Sequence, residues 1–552
     1  MEKIKVNVIG YGDVTVNRGA TLLDLSKEVY KDGYKRYLGA RINNEIYNLT
    51  KAVEDGMNIL FLDIKNVDGY RIYTKTISAI FIMACKEICP SSDVVIEHFL
   101  GPGLYAELDK CNISYRMLEQ IEDKMWEIIK ADYKIIRKEY DKAKAIEIFK
   151  ECGYEDKVRL LNSIDKEKTS VYKIDDHIDS FHGYLAPSTG FINMFKLRYY
   201  YPGVIILFPN IKNNFNMENF KEQKKLAKVF KESNNWLSIL DLEHIGSLNE
   251  KVNNGKIGEV IRVSEALHEK KIAQIADKIC SDHDTNIILI AGPSSSGKTT
   301  FAQRLAVQLK VNGKRPIAIS VDDYFVNRED TPLNEDGTHD YEALEAIDLK
   351  LLNNDLVKLL EGEEIELPKF NFKTGLREKS GKIIRVDKDH PIIIEGIHGL
   401  NPRLTGDIPE KNKYKIYISA LTQLNIDAHN RIATTDTRLI RRMVRDVKFR
   451  GNGPLRTFEM WEGVRKGEEK NIFPYQEEAD IMFDSALVYE LGVLKKYILP
   501  LLHEIDNTSK YYSEAKKLIK FLDYSRDIDS EEIIPHNSIL REFIGGTYFN
   551  IH

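Results

Sequence analysis

The sequence predicts an α/β protein whose last large domain, residues 263–490, is built on a parallel sheet. Strand-like apolar runs alternate with helical segments from about residue 286 to 490, which is typical of a parallel sheet covered by helices. Residues 1–65 show short strands around one helix, and residues 66–210 indicate an α+β domain. A length of 552 residues, 43% hydrophobic and 30% charged, fits several compact domains and excludes a fibrous or disordered chain.

Charge and cysteine usage narrow the class of protein further. The chain has 80 Lys+Arg against 85 Asp+Glu, so it lacks the overall basic field of a nucleic-acid binder, and any contact with a polyanion must be local. Its 5 cysteines are too few for a disulfide framework and indicate a reducing compartment. The N-terminus does not resemble a signal peptide, and no apolar run approaches the ~20 residues that span a bilayer. We expect a soluble, cytoplasmic protein without membrane contact.

The first 65 residues predict a small mixed β-grasp module, because strands, one helix and further strands follow each other in a short length. Thr21 and Asp24 predict the N-terminal cap of its helix. The phrases Asp13-Val-Thr-Val, Gly19-Ala-Thr-Leu-Leu-Asp-Leu and Ala40-Arg-Ile-Asn-Asn-Glu resemble the TGS module that opens threonyl-tRNA synthetases.

Residues 66–210 resemble the accessory domain of the same synthetases, which hydrolyses mischarged tRNA. The resemblance rests on Ala84-Cys-Lys-Glu-Ile, Gly101-Pro-Gly-Leu-Tyr and Pro187-Ser-Thr-Gly. That family's editing centre uses two histidines on one helix and a later cysteine and histidine. The corresponding positions here hold Lys75, Ala79, Phe181 and Leu185. We therefore expect the fold without the hydrolytic site, and we interpret the nearby His177 and His182 as surface or core histidines rather than a replacement metal site.

Two further segments carry no chemical motif. Residues 211–262 are polar and rich in Lys and Asn, and we interpret them as a helical linker or packing helix. Residues 491–552 predict a C-terminal tail of one or two amphipathic helices.

The strongest motif of the chain lies at the start of the parallel-sheet domain. Residues 292–299, Gly-Pro-Ser-Ser-Ser-Gly-Lys-Thr, match GxxxxGK[ST] between a strand and a helix, as a phosphate-binding loop requires. The alternative is a Gly/Ser turn that happens to precede a helix. We expect Lys298 to reach β- and γ-phosphates and Thr299 to bind Mg²⁺. The predicted nucleotide-binding residues are Gly292, Pro293, Ser294, Ser295, Ser296, Gly297, Lys298, Thr299 and Thr300.

Acidic residues follow two later apolar strands. Asp322 and Asp323 come after the strand at 317–321, where a carboxylate can accept a substrate proton; an Asp that caps the next turn is the alternative. Glu395 ends the strand at 391–395 and occupies the position of a carboxylate that holds Mg²⁺.

A basic stripe completes the candidate site. Arg438, Arg441, Arg442 and Arg445 are spaced to share one helical face, and residues 431–450 hold seven Lys/Arg against two Asp. Such a stripe suits a lid that closes over ATP and stabilises the transferring phosphoryl group. Nucleic-acid binding and a solvated helix face are the alternatives.

The motifs and their order along the chain resemble those of the uridine-cytidine kinase and phosphoribulokinase group of P-loop kinases. The matching phrases are residues 292–299, Asp322-Asp-Tyr-Phe, Asp340-Tyr341, Pro368-Lys-Phe-Asn-Phe, Ile394-Glu-Gly-Ile-His and Asp436-Thr-Arg-Leu-Ile-Arg-Arg-Met-Val-Arg-Asp. The resemblance implies ATP and Mg²⁺ as cofactors, Asp322 as catalytic base, Asp340 on the sugar hydroxyls, the arginine helix as lid, and a nucleoside 5′-monophosphate of pyrimidine salvage as product.

Two departures put the acceptor in question. Gly375 stands where uridine-cytidine kinases have a histidine that contacts the pyrimidine, and Phe325 replaces the usual Tyr. A site that lacks such a hydrogen bond loses much of its discrimination, so uridine cannot be assumed. Phe370 and Phe372 either stack on a planar base or form one face of a strand. The expected substrate-binding residues are Asp322, Tyr324, Phe325, Asp340, Phe370, Phe372 and Arg377.

The sequence thus predicts an ATP-dependent phosphotransferase that acts on a nucleoside hydroxyl. A tRNA- or nucleotide-sensing protein in which the phosphate loop acts as a switch is the second hypothesis, and a kinase of a non-nucleoside sugar is a variant of the first. An editing hydrolase is disfavoured by the four residues that replace the editing centre. A tRNA partner and an oligomeric state stay open.

Overall fold

The first module is a mixed sheet with one helix lying across it. The structure is a computed structural model that describes residues 2–209, 217, 220–334, 337–371, 374–387, 389–422 and 424–550. The strand order is β2-β1-β5-β3-β4, with β1 and β5 parallel, as a β-grasp fold requires. Its elements are β1 (Lys3–Val8), β2 (Gly12–Asn17), α1 (Leu22–Tyr30), β3 (Tyr37–Ile42), β4 (Glu45–Tyr47) and β5 (Asn58–Asp63).

Local chemistry explains these elements. Ile4, Val6 and Val8 alternate with exposed or half-buried residues along β1 and point into the core. The predicted helix cap is confirmed: Thr21 Oγ1 accepts a hydrogen bond from the Asp24 N–H (3.2 Å), and Asp24 Oδ2 accepts one from the Thr21 N–H (3.0 Å).

The second module is the predicted α+β domain. A long helix, α2, is buried on most of its surface and packs beside α3 and two antiparallel sheets, of order β10-β9-β8 and β11-β12-β7-β6. Ile42 and Ile59 of the first module share a core with Ile77 and Phe81 of α2, so the two modules pack as one body. The elements are α2 (Val67–Ile88), β6 (Val94–Leu100), β7 (Gly103–Leu108), α3 (Tyr115–Ala131), β8 (Ile135–Asp141), α4 (Lys142–Glu151), α5 (Glu155–Ser163), β9 (Lys168–Ile174), β10 (His177–Asp179), β11 (Lys196–Tyr200) and β12 (Gly203–Leu207).

Helices connect this body to the last domain. They are α6 (Lys224–Ile239), α7 (Ile245–Asn253) and α8 (Ile257–Ser281). The predicted domain boundary at residue 263 lies inside α8, whose Ile261 and Ile272 are both fully buried in the core of the last domain.

The last domain contains the predicted parallel sheet, with strand order β14-β17-β13-β18-β19. Strand β17 lies between β13 and β14. At the carboxyl edge of the sheet, the end of β17 therefore lies between the phosphate loop, which follows β13, and Asp322, which follows β14. The elements are β13 (Ile287–Ala291), α9 (Lys298–Val311), β14 (Ile317–Ser320), α10 (Leu349–Leu360), the hairpin β15 (Ile365–Asn371) and β16 (Leu376–Ile384), β17 (Ile392–Glu395), β18 (Lys413–Ser419), α11 (Thr434–Phe449), α12 (Pro454–Asn471) and β19 (Ile481–Asp484).

The C-terminal residues belong to this domain's core. They form α13 (Glu490–His503), α14 (Tyr512–Leu522) and α15 (Arg541–Ile544), and Leu518 and Phe543 are fully buried. The predicted helices are present, and the last of them reaches the phosphate loop. None of the helices in the described ranges has the length and apolarity needed to cross a membrane.

Candidate active site

The phosphate loop joins β13 to α9 in a conformation that needs its glycines. Gly297 precedes α9 with φ +83°, and Ser295 also has a positive φ of 60°. A Cβ on Gly292 would lie 2.0 Å from the carbonyl oxygen of Ile418 on β18, so only glycine fits there. The loop backbone therefore wraps around the N-terminus of α9, where unpaired N–H groups and the helix dipole favour an anion.

A cavity of about 160 Å³ lies at this helix N-terminus. The Ser295 and Ser296 hydroxyls are buried beside it without a hydrogen-bond partner. The ammonium of Lys298 folds back on the loop and donates to the carbonyls of Gly292 (2.9 Å) and Pro293 (3.2 Å). The lining residues are Ser294, Ser295, Ser296, Gly297, Lys298, Thr299, Glu342, Ile397, Arg442, Arg445, Val464, Glu468 and Glu542.

Thr299 and Glu395 meet at the edge of the sheet. Thr299 Oγ1 donates to the Glu395 carboxylate, with 3.1 Å to Oε1 and 3.3 Å to Oε2. Burial raises the pKa of Glu395, and Lys298 opposes this rise; burial likewise lowers the pKa of Lys298. A hydroxyl and a carboxylate side by side are the ligand types that Mg²⁺ prefers in proteins.

Asp322 lies on a short 3₁₀ turn directly after β14, next along the sheet edge from Glu395. Its backbone N–H donates to Ser320 Oγ (3.3 Å). Asp322 is exposed, but partial desolvation by nearby protein atoms raises the pKa of its carboxyl, and Lys298 opposes this rise. A raised pKa brings a carboxylate closer to the range of a proton acceptor.

The four arginines of α11 divide into two pairs. Arg442 and Arg445 line the cavity, and Arg442 Nη1 donates to Ser294 Oγ (2.8 Å). Arg438 and Arg441 are 1% and 0% exposed and do not line the cavity. The expectation that all four form a lid over the nucleotide is therefore corrected for this pair.

The second pair supports the loop backbone. Arg438 Nε donates to the Ser294 carbonyl (3.2 Å) and the guanidinium pairs with Glu468. Arg441 Nη1 donates to the Ser295 carbonyl (3.4 Å), and its Nε donates to Glu490 (2.9 Å). A solvated helix face is excluded for both, because each charge is buried with a carboxylate partner.

Tyr324 does not face the cleft. It is fully buried, and its hydroxyl donates to Asp355 Oδ2 on α10 (3.1 Å). The prediction that Tyr324 binds substrate is corrected, because the backbone turn at Asp322 directs this ring into the core beneath β14.

Two predicted aromatic residues meet beside Asp322. The rings of Phe325 and Phe370 contact edge to face with centroids 5.6 Å apart, and the Phe370 N–H donates to Asp323 Oδ1 (3.3 Å). Phe372, the third predicted aromatic, lies outside the described residues.

Two charged residues of the predicted substrate set have protein partners. Arg377 donates to Asp348 at 2.8 Å and lies on the largely exposed β16. Asp340 lies 3.5 Å from Lys470 and accepts a hydrogen bond from the Glu342 N–H (3.1 Å). The roles of Arg377 and Asp340 in substrate binding remain predictions.

Three carboxylates of this cavity were missed from the sequence. Glu468 of α12 accepts a hydrogen bond from the Ser294 N–H (2.9 Å), and Glu542 of α15 accepts one from Thr300 Oγ1 (2.8 Å). Burial raises the pKa of the third, Glu342. None of the three lies in a sequence motif, because the fold brings them together from distant helices and a loop.

The four positions that correspond to the editing centre hold no set of ligands. Ala79, Phe181 and Leu185 are buried apolar residues, and only Lys75 is polar. The His182 N–H donates to Asn430 Oδ1 (2.7 Å), and burial holds the pKa of its ring well below the usual range. Among the described residues, no group of three or more His, Cys, Asp or Glu side chains is placed to hold a metal ion.

Comparison with known proteins agrees with the last domain's geometry. Residues 287–490 match the family described as "Phosphoribulokinase / Uridine kinase family". This segment is a P-loop kinase domain of that family. The kinase domain follows a region similar to threonine–tRNA ligases, which confirms both resemblances seen in the sequence.

The relatives cover only parts of this chain. The threonine–tRNA ligase of Citrifermentans bemidjiense is 30% identical over 198 residues, 36% of this chain and 31% of that protein. The enzyme of Streptococcus pyogenes serotype M5 is 29% identical over 181 residues, 32% of this chain and 28% of that protein. The chain thus spans about a third of the length of these curated relatives.

Solved structures resemble the kinase part at low similarity. A possible uridine kinase from Bacillus stearothermophilus is 19% identical with a TM-score of 0.24, covering 36% of this chain and 89% of that one. The D-glycerate 3-kinase of Cryptococcus neoformans var. grubii is 13% identical with a TM-score of 0.20, covering 46% of this chain and 87% of that one.

Proposed function

We propose that this protein is an ATP- and Mg²⁺-dependent kinase that phosphorylates a hydroxyl of a nucleoside to give the 5′-monophosphate. The observation that carries the proposal is the contact of Thr299 Oγ1 with Glu395, 3.1 Å apart, beside the half-buried Lys298. This contact supports the proposal because a hydroxyl and a carboxylate that would bind Mg²⁺ lie next to an ammonium that would bind a phosphate.

The donor set fits a nucleoside triphosphate and Mg²⁺. Ser295 and Ser296 offer buried hydroxyls without partners, and the loop N–H groups offer further donors. Thr299 and Glu395 would hold the metal, and Lys298 would leave the Gly292 carbonyl to bind phosphate oxygens. When bound, Mg²⁺ neutralises charge on the phosphates.

The remaining groups suit proton and charge handling. Asp322 is one strand position from Glu395 at the sheet edge and would accept the proton of the acceptor hydroxyl. Arg442 and Arg445 line the same cavity and would stabilise the negative charge of the transferring phosphoryl group.

The aromatic pair of Phe325 and Phe370 supports a nucleoside as the acceptor. Phe325 is half-buried and packs its ring against the buried Phe370, and its remaining ring edge would favour a planar base over a bare sugar. Gly375 favours the second candidate, a kinase of a non-nucleoside sugar, because it offers no side-chain donor to a pyrimidine.

The test is a turnover screen with Mg-ATP across uridine, cytidine, thymidine, purine nucleosides, pentoses and pentose phosphates. Lys298→Ala should abolish turnover, and Lys310→Ala, at the far end of α9, serves as the matched control. ATP-dependent product with a nucleoside supports the proposal. Product with pentoses alone supports the second candidate, and no product with any acceptor contradicts both.

A further inference from the structure

A second, larger cavity lies between the N-terminal half and the first turn of α11. Its volume is about 290 Å³, near the lower end of the roughly 300–1,000 Å³ of small-molecule pockets. Its walls come from α2, the segment 181–184, the segment 426–433, and α14. Nothing in the kinase chemistry described above uses it.

The cavity wall contains more cationic side chains than the protein neutralises with ion pairs. All three acidic side chains of the wall have partners: Asp68 pairs with Arg41 and Arg71, Asp436 with Lys517, and Glu45 with Lys516. In contrast, three cations of the wall make no ion pair with any residue in the described ranges; they are Lys75, Arg431 and Lys520.

The surplus charge is poorly compensated by the protein. The Nε atom of Arg431 is buried without a hydrogen-bond partner. Burial, with Arg71 and Lys517 nearby, lowers the pKa of Lys75 to about 7. An unpaired cation away from water costs free energy, and a bound anion would offset that cost.

The rest of the wall is aromatic and apolar. Tyr70, Phe99, Tyr184 and Phe521 contribute rings, and the Arg431 guanidinium lies 4.8 Å from the centroid of Phe99. A ligand that satisfies both parts of the wall has a flat ring at one end and several negative charges at the other.

We propose that this cavity binds a nucleoside monophosphate, with its phosphate on Lys75, Arg431 and Lys520 and its base among the aromatic rings, and that its occupancy changes the activity of the kinase site. The proposed binding does not depend on the proposed kinase function. The proposed effect on activity rests on that function.

Helix α11 connects the two sites. Asp436, in its first turn, lines the cavity and pairs with Lys517 at 2.8 Å. Arg438, two residues later, donates to the carbonyl of Ser294 in the phosphate loop. A ligand that displaces the Asp436 side chain therefore acts on the same rigid helix that supports the loop.

Binding is tested by calorimetry on the full-length chain with uridine 5′-monophosphate and adenosine 5′-monophosphate. Uridine and inorganic phosphate are titrated separately, as the nucleoside part and the phosphate part of the ligand. The Lys298→Ala background weakens binding at the phosphate loop, and Lys75→Met tests the cavity. Lys130→Met, at an exposed position of α3 outside the cavity, is the matched control.

We expect a site that binds the monophosphate more tightly than inorganic phosphate, is retained in Lys298→Ala and Lys130→Met, and is weakened at least tenfold by Lys75→Met. Lys75→Met should also keep or raise the unfolding temperature, because it removes an unpaired buried charge, so loss of binding would not reflect loss of the fold. Binding that depends on Lys298 and not on Lys75 overturns the proposal. Lys75-dependent binding of tRNA without mononucleotide binding also overturns it, in favour of an RNA site.

The effect on activity has a separate readout. With an active acceptor from the screen, a monophosphate should change turnover at least twofold in the unaltered protein and not in Lys75→Met, whereas product inhibition at the kinase site would persist in both. Absence of turnover with every acceptor would contradict the proposed kinase function and leave the calorimetric result standing.

Discussion

The carboxylate of Glu468 accepts a hydrogen bond of 2.9 Å from the backbone N–H of Ser294 in the phosphate loop. The same carboxylate pairs with Arg438, so a buried anion and cation are fixed at the loop. Loop N–H groups of this kind are donors for phosphate oxygens. Glu468 would therefore compete with a bound nucleotide for the Ser294 N–H of the loop.

Replacing Glu468 by Gln should tighten the binding of ATP. Gln keeps the size of the side chain but removes a negative charge from the wall of the cavity that would hold the phosphates. We expect the Kd for Mg-ATP to fall about tenfold, corresponding to about 1.4 kcal/mol. Calorimetric titration measures it.

Glu469→Gln on the next position of α12 is the matched control, since Glu469 pairs with Arg465 and does not line the cavity. An unchanged or weaker affinity in Glu468→Gln, with the control unaltered, would show that Glu468 moves away at no cost or assists binding.

Asp322→Asn should lower turnover and leave ATP binding intact. The amide keeps the shape of the turn after β14 but cannot accept a proton, and general-base catalysis is typically worth about 10²–10⁴-fold in rate. Steady-state kinetics and ATP titration separate the two effects. Asp323→Asn is the control, because Asp323 accepts the Phe370 N–H and is expected to act structurally. Full activity in Asp322→Asn would refute the proposed base.

Gly375→Ala tests why this position departs from the uridine-cytidine kinase pattern. Gly375 has φ +73° in the turn between β15 and β16, and a Cβ would lie 2.7 Å from Arg328 Nε. A left-handed conformation costs an L-residue about 1–2 kcal/mol. We expect Gly375→Ala to lower the free energy of unfolding by more than this backbone strain, because the Cβ also clashes with Arg328, whereas Gly362→Ala, with φ +80° but open space around it, should cost only the backbone strain. Equal losses in both variants would mean that Arg328 moves aside freely.

The sequence was sufficient for the parts of the fold with strong local signals. The cap at Thr21, the succession of strands and one helix in the first module, and the loop at residues 292–299 all follow from side chains near each other in the chain. The meeting of Thr299 and Glu395 could also be predicted, since parallel strands bring their carboxyl ends to one edge.

Long-range packing limited the prediction of the site. Glu468 and Glu542 reach the loop from helices far along the chain, and no local pattern marks their destination. Helical spacing placed Arg438 and Arg441 on the face of Arg442, but it could not show that they are paired with carboxylates. Tyr324 was misassigned because a short turn reverses the side that its ring faces.

Asp484 should make stability fall as the pH rises from about 4 to about 7. Burial at the end of β19 raises the pKa of its carboxyl from 3.8 to about 7, so the folded state holds a proton that the unfolded state releases in this range. The loss reaches at most about 1.4 kcal/mol per pH unit and is complete above pH 7.

Asp484→Asn keeps an oxygen for the N–H groups of Leu421 and Ala486 and removes the charge. The variant should be more stable than the unaltered protein at pH 8, with the difference shrinking towards pH 4. Urea unfolding at pH 4.5, 6 and 8 measures this. A difference that is constant with pH would mean that Asp484 is ionised in the fold throughout.

Lys157→Met should loosen the kinase domain from the N-terminal half. The ammonium of Lys157, 2% exposed, lies 3.2 Å from Asp179 Oδ1 and 2.9 Å from Asp427 Oδ1, and it joins α5 to the segment that leads into α11. Removing it leaves the carboxylates of Asp179 and Asp427 buried without the positive charge of Lys157, and breaking such a buried pair typically costs about 3–5 kcal/mol. We expect a lower unfolding midpoint and faster trypsin cleavage between the two halves. Lys144→Met, which breaks the exposed pair with Glu147, should change neither, because solvent already screens that pair. Equal behaviour of the two variants would mean that apolar packing, and not the buried charges, holds the halves together.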